Sequence, residues 1–252
     1  MTNAVRTTAT KRVPMDSMRK TALVAGLFYL ITFISIPTLA LYGPVKTDPA
    51  WILGSGPDTP VLLGTVLELI VALAGIGTAI ALYPVVRRQN EGFALGLVAS
   101  RTVEAGMIFV GVVSLVSLVT LRQDLGAAAG AADASALVIT GASHVATYNW
   151  AFTDGQSLMP GINALLLGTL MYRSGLVPRV LPVLGLVGAP LLITATIATQ
   201  FGLLEQYSPL GGLAALPIAL WEFSLGLWLT FKGFKSSAPI MVAAAAQSGS
   251  PD

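Results

Sequence analysis

Cysteine is absent from the chain, and histidine occurs once, as His144. The first absence excludes disulfides, thiolate nucleophiles and Cys-ligated metal sites. The second makes a transition-metal or haem site unexpected, because such sites draw on several His ligands. No cofactor is expected. Charge is scarce as well: Asp, Glu, Lys and Arg make up 10% of 252 residues, against 54% hydrophobic residues and a mean hydropathy of +0.78. A soluble domain carries about 25% charged residues to face water. A chain with less than half of that must have lipid as the solvent for most of its length. A net charge of +2, spread over short loops, also excludes a nucleic-acid-binding face.

What is present is six long apolar runs: 22–42, 61–86, 92–121, 142–172, 180–204 and 213–231. Each exceeds or approaches the ~20 residues that a helix needs to cross the hydrocarbon core. Continuous runs of this length read as helices and not as barrel strands, which would alternate over short segments. The expected fold is all-α, a polytopic six-span bundle over residues 18–235. Tails 1–17 and 236–252, rich in Ala, Thr, Ser and Pro, are expected to be disordered.

The basic residues orient the bundle. Arg6, Lys11, Arg12, Arg19, Lys20, Arg87, Arg88, Arg173, Arg179, Lys232 and Lys235 fall on one side, which is 11 of 14. The other side receives Lys46 and Arg122 together with Asp48, Asp58, Asp124, Asp133 and Glu205. Because cytoplasmic loops are enriched in Lys and Arg, both termini are expected in the cytoplasm and the protein in the plasma membrane. The run 22–42 is longer than a signal-peptide core and is expected to stay as an anchor.

Ionisable groups within spans are costly, ~2.5–3.5 kcal/mol each near the bilayer centre, and therefore mark candidate sites. They are Glu68 in the second span, Arg101 and Glu104 in the third, Asp154 in the fourth and Glu222 in the sixth. Arg101 and Glu104 are three apart and share a helix face. One reading is a polar cavity open to the outside, with Arg101 at its floor, that takes a small solute or a proton. The other is a buried network that only fixes helix register. His144 and Tyr148, four apart, share one face of the fourth span; they line the mouth of such a cavity or belong to an interfacial helix end. Pro160 and Gly161 are expected to kink that span. Spans one and five carry no charge and read as lipid-facing support.

Catalytic templates fail: Gly-x-Ser-x-Gly, His-Glu-x-x-His and the Walker A loop are all missing. Ser143 and His144, adjacent on a helix, point apart. Gly75 with Gly77, and Gly96 with Ser100, mark close helix packing. Three activities remain open: solute binding, sensing or transport; accessory assembly as a homo- or hetero-oligomer through small-residue faces; and an intramembrane enzyme using carboxylates with His144.

Four segments occur together: 19–30 (RKTALVAGLFYL), 81–87 (ALYPVVR), 167–179 (LGTLMYRSGLVPR) and 222–233 (EFSLGLWLTFKG). Over residues 19–235 the chain resembles the bacterial domain-of-unknown-function family 4386 of small multi-span membrane proteins. The resemblance implies the topology and a retained first span. It implies no activity and no catalytic residue. Within its most specific turn, Gly175 permits a left-handed helix stop and Pro178 cannot continue the helix.

Overall fold

The structure is a computed structural model describing residues 17–126 and 130–242. Among the described residues it is all-helical, with no strand. The helices are α1 (Ser17–Ile31), α2 (Thr38–Leu41), α3 (Gly43–Thr47), α4 (Thr59–Val86), α5 (Glu91–Leu125), α6 (Ala131–Thr153), α7 (Met159–Ser174), α8 (Val180–Gln200) and α9 (Pro209–Phe231). Among the described residues, five stretches are long and apolar enough to cross a membrane: Ser17–Leu41, α4, α5, α8 and α9. These are the lengths and compositions of a multi-pass membrane protein.

The fourth expected span takes a different form. Its residues are helical, but α6 starts at Ala131, and α6 and α7 are separated by a π-helical turn, Asp154–Leu158. There the Met159 N–H reaches back five residues to the Asp154 carbonyl. The sequence predicts a kink at Pro160, and the irregularity lies just ahead of it. Pro160 stands in the first turn of α7, where a missing N–H costs little, and the wider π turn takes up the mismatch. At 16 residues, α7 alone is shorter than a span. The first span also breaks: a 3₁₀ turn, Thr32–Ser35, and Pro37 separate α1 from α2. The stretch between the third and fourth expected runs, 122–141, is largely taken up by the end of α5 and the start of α6, and 127–129 lie outside the described residues.

Packing closes a ring in the order α1, α4, α5, α7, α8, α9 and back to α1, with α6 leaning on the outside of α5. The beginning of α1 meets the end of α9, where Arg19 donates to the Leu229 and Thr230 carbonyls at 2.9 and 2.6 Å. Lys235 N–H bonds the Leu176 carbonyl, so these ends share one face of the bundle. Gly175 takes φ 66°, the left-handed stop expected for this turn. Residues 236–242, expected as part of a disordered tail, instead return to the bundle. Ala238 is buried, and Ile240 and Met241 pack on the core. Its apolar side chains give that segment area to bury. Residues 1–16 and 243–252 lie outside the described residues.

The main core lies toward that same face. Ala22, Tyr29, Leu82, Leu97, Leu170, Trp221 and Leu225 interlock within the ring. A second cluster sits at the opposite end, where Tyr42, Trp51, Ile52, Leu118 and Tyr148 pack the α2–α4 connection onto α5 and α6.

Candidate functional site

Three of the expected residues meet inside the ring. The Arg101 Nη1 donates to both Glu104 oxygens at 3.1 and 2.9 Å, and its Nη2 donates to Glu222 Oε1. Arg101 is 2% exposed and Glu104 7%. Arg101 and Glu104 meet because an i,i+3 spacing stacks them on α5; Glu222 arrives from α9, 121 residues away. Two further side chains complete the cluster without having been predicted. Asn163 of α7 donates to Glu104 Oε2 at 2.6 Å, and the Tyr29 hydroxyl of α1 lies 3.4 Å from Arg101 Nη2. A span read as lipid-facing support thus supplies a polar partner. Tyr29 and Asn163 look like ordinary span residues in sequence, since neither carries a charge to mark it.

One guanidinium is set against two carboxyl groups, and the set is not closed. Arg101 Nε and Asn163 Oδ1 are buried without a protein partner. A cavity of about 170 Å³ reaches Arg101, Glu104 and Glu222 and is bordered by Gln156 and Ile218. Gln156, Leu192 and Ala215 also border a second cavity of about 380 Å³, which extends to Glu205, Tyr207 and Ser208 between α8 and α9. The two are therefore adjacent. On the other side of Arg101 the ring is filled by the apolar core.

Glu68 does not join Arg101. It is 1% exposed and accepts from the Tyr148 hydroxyl at 2.8 Å, from Tyr42 at 3.4 Å and from Gln156 at 3.4 Å. Tyr148 is likewise buried, so it is not an interfacial belt residue; its hydroxyl is held by Glu68, and Lys46 lies near its ring. Gln156 touches Glu68 and borders the cavity over Arg101, and so connects the two clusters. It was not predicted; its place in the π turn turns it inward.

The remaining candidates lie elsewhere. Asp154 accepts from Gln200 at 2.6 Å and borders a lateral groove of about 620 Å³ between α5 and α6, outside the ring. His144 lies on Ser114, whose Oγ is 3.1 Å from Nδ1 and donates to the His144 carbonyl at 2.9 Å. Glu68, Glu104 and His144 thus have different partners: Glu68 bonds Tyr148, Tyr42 and Gln156, Glu104 bonds Arg101 and Asn163, and His144 lies on Ser114. The small-residue faces are filled within the chain: Gly77 lies against Phe28 and Gly96 against Leu166.

At the end near Tyr207, the two basic residues that broke the charge pattern are both held internally. Arg122 bonds Asp58 Oδ1 at 2.6 Å and the Gly54 and Gly56 carbonyls, and lies 4.0 Å from the Trp51 ring centre. Lys46 lies over Tyr207. Among the described residues no group of three or more acids and histidines could hold a metal. No curated protein and no solved structure matches the chain. The family model described as "Domain of unknown function (DUF4386)" matches residues 24–233, nearly all of the ring and its connections, and the chain belongs to that family.

Proposed function

We propose that the chain crosses the cell membrane six times, with α6, the π turn and α7 as the fourth crossing and both termini in the cytoplasm. In this reading it binds or moves a small solute through a passage open to the outside. The passage runs from Glu205–Ser208 past Gln156 to Arg101, Glu104 and Glu222. The observation that carries this is the pair of adjacent cavities ending on a buried, incompletely partnered ion cluster. Buried ions in a spanning bundle are retained where they line a substrate or proton path. The apolar core beyond Arg101 is the seal expected of an outward-open form.

The natural absence of cysteine makes the test direct. Single Asp48→Cys and Glu205→Cys variants should react from outside intact cells with a membrane-impermeant maleimide. Gln89→Cys should react only after permeabilisation. Gln156→Cys should react from outside, though more slowly than the loops. A Gln89→Cys that labels in intact cells would overturn the topology, and an unreactive Gln156→Cys would overturn the passage.

A further inference from the structure

The outer end of the passage places a lysine in a setting built for a different kind of partner. Lys46 Nζ lies 3.6 Å from the ring centre of Tyr207, 5.4 Å from that of Tyr148 and 5.9 Å from that of Phe152. Tyr148 and Phe152 are four apart on α6, so their rings stack along one face. Their centres are 6.2 Å apart, and those of Phe152 and Tyr207 are 5.7 Å apart. Tyr207 comes from the α8–α9 connection at φ 63°, the one non-glycine residue in left-handed backbone among the described residues. Such a conformation persists where surrounding contacts hold it, and it clusters at ligand clamps. The Tyr207 hydroxyl is fixed by Asn149 Oδ1 at 3.0 Å. Below the rings Glu68 is held by Tyr148 and Tyr42.

Ring faces are electron-rich, and a cation within about 6 Å of several of them is attracted without a directional bond. Rings on several sides over a carboxylate suit an ammonium group and repel an anion. Phe152 and Tyr207 also border the 380 Å³ cavity, so these two rings face the passage. We propose that Tyr148, Phe152 and Tyr207, with Glu68 beneath, form a binding site for small organic ammonium ions, and that Lys46 is the chain's own occupant, displaced when such an ion binds. This deepens the outward-facing passage by naming its substrate class, and it rests on that reading only for the role of the bound ion.

A tethered occupant competes at a high effective concentration. Its charge sets the competition. The titratable groups around Lys46 are Glu68 from α4, Tyr148 from α6 and Tyr207 from the α8–α9 connection, with Tyr42 behind Glu68; Asp48, two residues on, is turned to the Ala50 N–H. Burial pushes the Lys46 amine down to about 8, against the upward pull of Glu68. Below that pH the occupant is a cation and excludes a second one. Above it the amine is neutral, and a permanent cation meets a vacated charge site.

The test uses tetramethylammonium chloride on the purified full chain in detergent, with sodium chloride at equal ionic strength as reference and intrinsic fluorescence as readout. Lys46→Met should bind tetramethylammonium at least about tenfold more tightly than wild type at pH 7. The wild type should gain affinity between pH 7 and 9, whereas Lys46→Met should not change. Adding Tyr207→Ala to Lys46→Met should remove the gain. A folded Lys46→Met without a specific response would overturn the site, as would a response that survives Tyr207→Ala. If Lys46→Met does not fold, the wild-type pH series decides alone: affinity that is flat or falls toward pH 9 overturns the site. Labelling at Gln156→Cys is read separately, so failure of the passage and failure of the ammonium site are distinguishable.

Discussion

A buried carboxylate is tolerated in a lipid-facing bundle only when its oxygens are satisfied, and Glu68 shows how the chain does this. Its shortest bond, 2.8 Å, comes from Tyr148. Tyr148→Phe should therefore destabilise the protein by about 1–3 kcal/mol, the cost of leaving a buried acceptor short of a donor. Tyr42→Phe, which removes a 3.4 Å bond, should cost less. Titrated unfolding in SDS measures both, and equal losses would contradict the ranking. Arg101 holds two acids at once, so Arg101→Ala should cost about 3–5 kcal/mol in the same assay by stranding Glu104 beside Asn163. At this scale, charge was legible: Arg101 and Glu104 could be paired from their spacing. The neutral partners Tyr29, Asn163 and Gln156 could not, because nothing local marks a Tyr or Asn that a distant helix will meet. Lys46 did carry a signal, as a lysine on the acidic side, but its meaning required the position of Tyr207, 161 residues on by the numbering of the chain.

Elements were legible where composition alone decides them. Helices α4 and α9 reach the predicted 61–86 and 213–231 with two and four further residues at their N-terminal ends. The fourth span was legible as helix but not as a helix with a π turn, since the turn depends on how α7 seats against α5 and α8. The α1–α9 crossing gives a sharp expectation. A Cβ at Gly26 would lie 2.6 Å from the Thr230 backbone nitrogen and 2.8 Å from the Gly226 carbonyl oxygen. Backbone cannot swing aside, so Gly26→Ala should separate the two helices and lower stability by about 1–3 kcal/mol. It should also loosen Tyr29, one turn further along α1, from Arg101 on α5. A thermal midpoint unchanged from wild type would mean that the crossing is looser than the structure has it.

The whole molecule is a ring of helices with an apolar half and a polar half. At a rise of about 1.5 Å per residue, Arg101 and Glu222 lie roughly 14 Å from the ends of α5 and α9 on the Arg19 face, Glu104 roughly 20 Å, and Glu68 roughly 27 Å along α4. The polar groups thus climb away from the basic face toward Lys46. The charge pattern foretold which face is basic, but not that the ring closes through α1 and α9 nor that Glu68 would be kept apart from Arg101. Both depend on contacts between helices distant in sequence. In an outward-open form, water reaches the ion cluster from the acidic face. Ile218 borders the inner cavity one helical turn from Glu222, and a thiol reacts with methanethiosulfonates as the hydrated thiolate. An Ile218→Cys variant should react with an impermeant cationic methanethiosulfonate added outside, and should not react with it in inside-out vesicles. Reaction only in inside-out vesicles, or none in either orientation while Asp48→Cys reacts from outside, would contradict an outward-open passage.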